Sequence, residues 1–180
     1  METNRKLKLW ELNRADVETF KKQEKFPIVV VLDDIRSFNN VGSFFRTADA
    51  FNVEKIFLCG ITPCPPHREI NKTAIGATET IDWEQFGSID KLIDKLKSEG
   101  HKIFSIEQAE KTTHLQKMKI TKGEKTAFVF GNEVNGVKQE VIDVSDEVIE
   151  IPQFGTKHSL NVSVCSGVVL WEAIRLNLRL

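Results

Sequence analysis

Residues 27–48 read PIVVVLDDIRSFNNVGSFFRTA, and this stretch decides the fold class. Ile28, Val29, Val30, Val31 and Leu32 form an unbroken apolar run rich in β-branched residues. A strand in a parallel sheet is covered by helices on both faces, so it reads as a continuous apolar run rather than an alternating one. After a polar turn from Asp33 to Asn39, Val41, Phe44, Phe45 and Ala48 follow the i, i+3, i+4, i+7 spacing of an amphipathic helix. A strand, a short polar turn and a helix make the repeating unit of an α/β fold.

The same grammar continues downstream. Residues 55–59 (KIFLC) predict a second strand, closed by Gly60. Residues 61–70 hold Pro63, Pro65 and Pro66, three of the five prolines in the chain, and predict an irregular surface segment. Ile89, Leu92, Ile93 and Leu96 predict a second amphipathic helix, with Gly100 where a C-terminal cap belongs. Further strands are predicted at 103–106, at 126–130 ending in Gly131, and at 148–151 ending in Pro152. A last helix is expected over 159–177. Val162, Val164, Cys165, Val168, Val169, Leu170, Trp171 and Ile174 make it apolar nearly all round, which predicts burial in the core or against a partner subunit. Upstream, residues 1–26 are charged and amphipathic, and Leu9, Leu12, Val17 and Phe20 fit one helical face, with Pro27 stopping the helix. The expected organisation is a helical extension over 1–26 and one domain over 27–180, built on a mainly parallel sheet with helices on both faces.

The 180 residues are 41% hydrophobic and 28% charged, the values of an ordinary globular protein that buries its own core. Twenty-five Lys and Arg against 26 Asp and Glu give a formal net charge of −1. That excludes a uniformly basic nucleic-acid coat but leaves room for a local basic patch. No apolar run approaches the roughly 20 residues of a membrane span. The N-terminus lacks an apolar secretory core, and the three cysteines, Cys59, Cys64 and Cys165, are odd in number and scattered. A cytoplasmic protein with reduced thiols, no membrane and no metal is therefore expected.

In parallel α/β folds, ligands bind beyond the C-terminal ends of the strands. Three segments qualify: 33–46, 130–137 and 151–161. In the first, an Asn can cap the helix and Arg46 can be a solvated helix charge; alternatively, both can belong to a site. Asn40 and Arg46 are six residues apart, which does not align them on one helical face. In the second, a Gly directly after a buried strand permits close backbone approach, Gly136 can supply a positive-φ turn, and Glu133 taken alone reads better as a surface turn carboxylate than as a site residue. In the third, Ser159 can cap the last helix, whose N-terminus also offers free amide donors; His158 alone does not make a catalytic base. No GxGxxG, GxxxxGK[ST] or GxSxG occurs, nor any metal-ligand spacing, so phosphate-loop, nucleophile-elbow and metal chemistry lack support.

Taken in order, the three segments resemble the three motifs of the SpoU family of RNA ribose 2′-O-methyltransferases, within the SPOUT superfamily. The matching residues are Asn40-Val41-Gly42 through Arg46-Thr47, then Phe130-Gly131-Asn132-Glu133 with Gly136, then Ile151-Pro152 followed by Ser159-Leu160-Asn161-Val162-Ser163. The resemblance covers residues 27–176. It implies a C-terminal trefoil knot, which no periodicity reveals and which is rare among folds. It also implies a homodimer with the active site near the interface, in keeping with the apolar last helix.

The activity implied is methyl transfer from S-adenosylmethionine to a ribose 2′-hydroxyl of tRNA or rRNA. The catalytic group carried over is Asn40, Arg46, Glu133, Ser159 and Asn161. Cofactor contacts carried over are Leu58, Gly131, Ile151 and Leu160. His67, Arg68 and Lys72 are expected to line the RNA entrance, with Lys21, Lys22 and Lys25 extending it, although solvated surface charge explains the lysines equally well. Family members often carry a small RNA-binding domain before the catalytic one, and 26 residues are too few for it. Target choice is then expected from the extension, surface loops or RNA shape. Two other classes remain in view: an RNA-binding protein that keeps the fold without catalysis, and an α/β enzyme that binds a phosphorylated nucleotide.

Overall fold

The computed structural model describes residues 4–178. The described chain forms a seven-stranded sheet in the order β3-β2-β1-β6-β4-β7-β5, and every strand pair is parallel. The strands are β1 (Phe26–Asp33), β2 (Val53–Cys59), β3 (Asp82–Phe86), β4 (Lys102–Ile106), β5 (Thr113–His114), β6 (Thr126–Phe130) and β7 (Glu147–Glu150). The helices are α1 (Val17–Lys22), α2 (Phe38–Ala50), α3 (Arg68–Ala74), α4 (Ala77–Thr80), α5 (Ile89–Ser98), α6 (Gln139–Val144) and α7 (Val162–Leu178).

The apolar run of β1 is central, as its composition requires. Ile28, Val30 and Leu32 point into one core with α2 and α7, while Val29 and Val31 point into the other with α5 and α6. Alternate residues of β2 and β6 divide in the same way, since successive side chains of a strand leave opposite faces. Two strands escape the sequence reading, and both are edges. β3 (DWEQF) is polar and only partly covered, and β5 is two residues long. An edge strand buries too little to need an apolar signature. Helices α3, α4 and α6, of four to seven residues, also lack a readable period. The irregular segment after β2 stops at His67, so the last three residues of the predicted span 61–70 belong to α3.

Two expectations need correction. Residues 1–3 lie outside the described residues, and residues 4–26, the described part of the extension expected over 1–26, are not one amphipathic helix. They form a 3₁₀ turn at Leu9–Glu11 and the six-residue α1, capped by Asp16, whose Oδ1 accepts from Thr19 N at 2.8 Å. No residue of α1 is buried, and Leu12 and Val17 face solvent, while Phe20 packs against the core. Helix α7 begins at Val162 rather than Ser159, and it is buried on one side only. Val169, Leu170, Ala173 and Ile174 enter the core, while Val164, Val168, Trp171 and Leu178 stay exposed. Those four fall within an arc of about 80° around the axis at 100° per residue, so they form one uncovered apolar stripe. Among the described residues, no helix is long and apolar enough to cross a membrane.

Gly42 is where α2 and α3 cross. A Cβ there would collide with Thr73 Oγ1 and the Ile70 carbonyl, so only glycine permits the approach.

Candidate active site

The C-terminal ends of β1, β6 and β7 bring the three sequence segments together around one carboxylate. Glu133 lies in the loop that follows β6. Its Oε2 accepts from Arg36 N at 2.9 Å, and its Oε1 accepts from Ser37 N at 3.0 Å and from Asn40 Nδ2 at 2.9 Å. Asn161 Nδ2 in turn donates to Asn40 Oδ1 at 3.1 Å. Residues 93 and 121 positions from Asn40 thus meet on one side chain, and Glu133, Asn40 and Asn161 form a continuous chain of bonds. Burial alone would raise the Glu133 pKa. The donations from Arg36, Asn40 and Ser37 outweigh it and hold the carboxyl below its ordinary value, so it is ionised at neutral pH.

The capping assignments differ from those expected. Ser37, not an Asn, caps α2, its Oγ accepting from Asn40 N at 3.3 Å. Asn161, not Ser159, caps α7, its Oδ1 accepting from Ser163 N at 3.0 Å, Ser163 Oγ at 2.7 Å and Val164 N at 3.3 Å. Asn40 and Asn161 are thereby freed or fixed for the site: one amide bridges, the other caps a helix and reaches the bridge.

Residues 131–137 form a tight loop. Asn132 N donates to Gly136 O at 3.1 Å, and Gly136 N to Asn132 O at 2.9 Å. Gly136 adopts φ +68°, the positive value its position in the sequence suggested. A Cβ on Gly131 would run into the Gly136 backbone, so the loop closes only over glycine. Asn132 Nδ2 donates to the Asp34 carbonyl at 2.7 Å, and its Oδ1 accepts from Val134 N and Asn135 N, so it ties the loop to the end of β1.

A cavity of about 560 Å³ opens beside this loop, beyond the ends of β4, β6 and β7. Its apolar wall includes Ile106, Ile149, Ile151 and Leu160, and its charged groups are Glu107, Glu133 and Glu150, with no Lys or Arg. Glu107 Oε2 accepts from Val137 N at 2.9 Å, and Gln108 Nε2 donates to the His158 carbonyl at 2.9 Å, joining β4 to the two loops. Cys165 also lines the cavity, and its thiol is pushed up to about 12 by burial and by Glu107, so it is no nucleophile at neutral pH.

Of the residues nominated from sequence, Glu133, Ser159, Asn161, Gly131, Ile151 and Leu160 line this cavity, and Asn40 stands directly behind Glu133 and Asn161. Leu58 does not. It is 0% exposed in β2, separated from β6 by β1, and cannot reach a ligand there. The strand whose end does reach is β4, contributing Ile106, Glu107 and Gln108. The sequence contained that signal, because 103–106 already read as a strand and ligands sit at strand ends. Arg46 also stands apart. It is exposed on α2, lines no part of the cavity and makes no hydrogen bond or ion pair among the described residues. His158, at the cavity rim, is exposed.

His67 caps α3, its Nδ1 accepting from Glu69 N at 3.2 Å, and stacks on Phe38 with ring centroids 3.9 Å apart. It therefore adjoins Ser37, which Glu133 holds. Arg68 and Lys72 are exposed on α3, with Lys72 4.0 Å from Glu69. Lys25 is spent on the fold, donating to Phe20 O at 2.8 Å, while Lys21 and Lys22 are solvent-facing.

The model of the SpoU rRNA Methylase family matches residues 27–171. The 23S rRNA (guanosine-2′-O-)-methyltransferase RlmB of Vibrio parahaemolyticus is 31% identical over 166 residues, 92% of this chain and 66% of that protein. The tRNA (guanosine(18)-2′-O)-methyltransferase of Aquifex aeolicus is 30% identical over 164 residues, 88% of this chain and 73% of that one. The crystal structure of the A. aeolicus TrmH/SpoU tRNA modifying enzyme superposes with a TM-score of 0.79 at 25% identity, covering 91% of this chain and 81% of that chain. The chain spans just under two thirds of the length of the RlmB relatives it matches. With the matched span running through all three segments that meet at Glu133, the chain belongs to the SpoU rRNA methylase family.

Proposed function

We propose that this protein is an S-adenosylmethionine-dependent methyltransferase that acts on a ribose 2′-hydroxyl of tRNA or rRNA. The charge of the cavity carries this reading. Three carboxylates and no Lys or Arg repel a nucleoside phosphate and favour a cationic nucleoside in an apolar slot. That also weighs against a phosphorylated-nucleotide enzyme. The printed activities of the relatives, methylation of guanosine 2′-oxygens in 23S rRNA and in tRNA, support the same reading.

When bound, S-adenosylmethionine supplies an electrophilic methyl group on its sulfonium. Gly131, Ile151 and Leu160, with Ile106 replacing Leu58, would bound the adenosine by backbone and apolar contact. Ser159 and Asn161 at the start of α7 orient the ribose, with Asn40 and Glu133 fixing Asn161. Arg46 cannot act as a base near neutral pH, because guanidinium keeps its proton up to a pKa above about 12. Its role is to clamp an RNA phosphate and stabilise the developing alkoxide while the proton leaves through that phosphate or water.

Arg46 lies on the helix that packs against α7, and α7 carries the uncovered stripe of Val164, Val168, Trp171 and Leu178. A homodimer through that stripe brings a second copy beside Arg46, and Trp171→Glu is expected to shift the molar mass in light scattering from dimer to monomer. The same reading takes 27–180 as the methyltransferase domain with a C-terminal trefoil knot, 1–26 as its extension, and the cytoplasm as its location. His67, Arg68 and Lys72 would meet the RNA.

The detachment of Arg46 from the Glu133 network favours one alternative, an RNA-binding protein without catalysis. Transfer of labelled methyl groups from S-adenosylmethionine to tRNA and rRNA decides between them. Label on a ribose 2′-oxygen, followed by loss of a single 2′-O-methyl site in cells lacking the gene, supports the enzyme and identifies its substrate. RNA binding with no transfer to any RNA supports the alternative.

A further inference from the structure

A second cavity, about 760 Å³, lies on the opposite side of the 131–137 loop, beyond the ends of β1 and β2. It shares Asn132, Val134 and Gly136 with the first, so one loop forms the wall between them. Its other residues include Asp33, Asp34, Arg36, Ile61, Asn135 and Lys138, none of them carried over as a site residue from the family resemblance.

Its charges are arranged rather than scattered. Lys138 Nζ lies 3.1 Å from Asp33 and 2.8 Å from Asp34, and Asp34 Oδ1 accepts from Ile61 N at 2.9 Å. Burial raises the pKa of Asp33 against the pull of Lys138, whereas the bond from Lys138 lowers that of Asp34. Lys138 is consumed by this pair. Arg36 is the cation left over, its guanidinium exposed and without a hydrogen bond or ion pair among the described residues. Two exposed apolar side chains line it, Ile61 at 68% exposure and Val134 at 77%. Exposed apolar groups and one uncommitted guanidinium lining the same polar hollow suit a flat ring joined to a phosphate.

We propose that this second cavity seats a nucleotide of the RNA next to the one methylated, its base between Ile61 and Val134 and its phosphate on Arg36. The placement deepens the function proposed above and rests on it. The RNA strand then straddles the 131–137 loop, with one ribose turned to the cofactor cavity and the neighbouring base held on the far side. Asn135, whose side-chain amide makes no hydrogen bond among the described residues, and the remaining lone pairs of Asp34 face the edge of that base. The cavity thereby supplies sequence preference that the cofactor side, being common to any ribose, cannot provide.

The test uses the full chain and two probes: a transcribed pool of tRNAs and transcribed 23S rRNA fragments. RNA affinity is measured across a salt series, and S-adenosylmethionine affinity is measured separately. Arg36→Ala keeps the backbone N–H that Glu133 needs, so it is expected to weaken RNA binding about tenfold, lower the slope of log affinity against log salt by about 1, and leave cofactor affinity unchanged. Ile61→Ser, at an exposed site, is expected to weaken RNA binding severalfold with an unchanged salt slope. RNA affinities of both variants within twofold of wild type, with wild-type RNA binding and methyl transfer intact, overturn the second cavity alone. A wild-type chain that binds neither RNA probe overturns this placement and the proposed function together.

Discussion

The two hollows on either side of residues 131–137 share a wall and differ in charge. One presents Glu107, Glu133 and Glu150 with no Lys or Arg; the other presents Arg36 and Lys138 against Asp33 and Asp34. A net charge of −1 over the chain conceals this division. On the proposed reading, a near-neutral protein would host a cationic cofactor and an anionic polymer within a loop's width by segregating charge locally rather than by carrying an excess. The loop owes its thinness to Gly131 and Gly136 and its rigidity to Asn132.

The largest effect is expected where the two hollows are joined. Glu133 lines the first and, through the amides of Arg36 and Ser37, fixes the backbone beside the second. Glu133→Ala should reduce methyl transfer on the order of 10³-fold and cost about 2 kcal/mol of stability in urea melts, given that bonds to a charged acceptor are worth roughly 1.5–3 kcal/mol each and water replaces some of them. If both cofactor and RNA affinity survive that change, the two hollows are independent. Arg46→Lys comes next, with turnover expected to fall roughly 10²-fold, because an ammonium cannot make the bidentate contact of a guanidinium. Near-wild-type turnover would break both the clamp and any role as base. A smaller effect belongs to Glu107→Gln, which removes one charge from the first hollow while keeping an oxygen for Val137 N. Cofactor affinity should drop about tenfold, on the order of 1.4 kcal/mol, with RNA affinity unchanged; calorimetry of both ligands would show whether charge distinguishes the hollows.

The smallest effect concerns acidification. His101, buried near the start of β4, bonds Leu96 O through Nδ1 at 3.2 Å, and its Nε2 has no partner among the described residues. Burial lowers its pKa below the ordinary 6.5, so the folded state holds fewer protons than the unfolded one, and stability present above pH 6.5 is lost as pH falls below it. The depressed Glu133 carboxyl adds a second loss, which begins only as pH falls through its ordinary 4.5. Thermal melts across pH 4–8 should therefore show a shallow first decline that His101→Phe alters and a later one that Glu133→Ala alters. A single decline indifferent to His101 would remove the first assignment.

The sheet was legible wherever burial imposed a pattern. β1, β2, β4, β6 and β7 are covered by neighbours, and each carried an apolar run; β3 and β5 are edges and carried none. In the site, residues of the loops after β6 and β7 were readable because glycine, proline and amide side chains mark chain reversals beside strand ends. Leu58 was misplaced because a strand's position in the sheet is not encoded in its composition. β2 and β4 read alike, yet β1 separates β2 from β6 while β4 adjoins β6 directly. The stripe on α7 was half legible: its apolarity predicted burial, and the fold left one side uncovered.

The sequence by itself determined the α/β class, the glycine-bounded loops and the three segments at strand ends, because each follows from local propensity and the period of burial. Only the tertiary structure decided that Asn40 joins Glu133 to Asn161, that Arg46 is exposed and unbonded to them, and that one loop divides an acidic hollow from one with an uncommitted arginine. The physical reason is range. Propensity and patterning act over a few residues, whereas these bonds span 93 and 121 positions and depend on the order in which parallel strands are laid side by side.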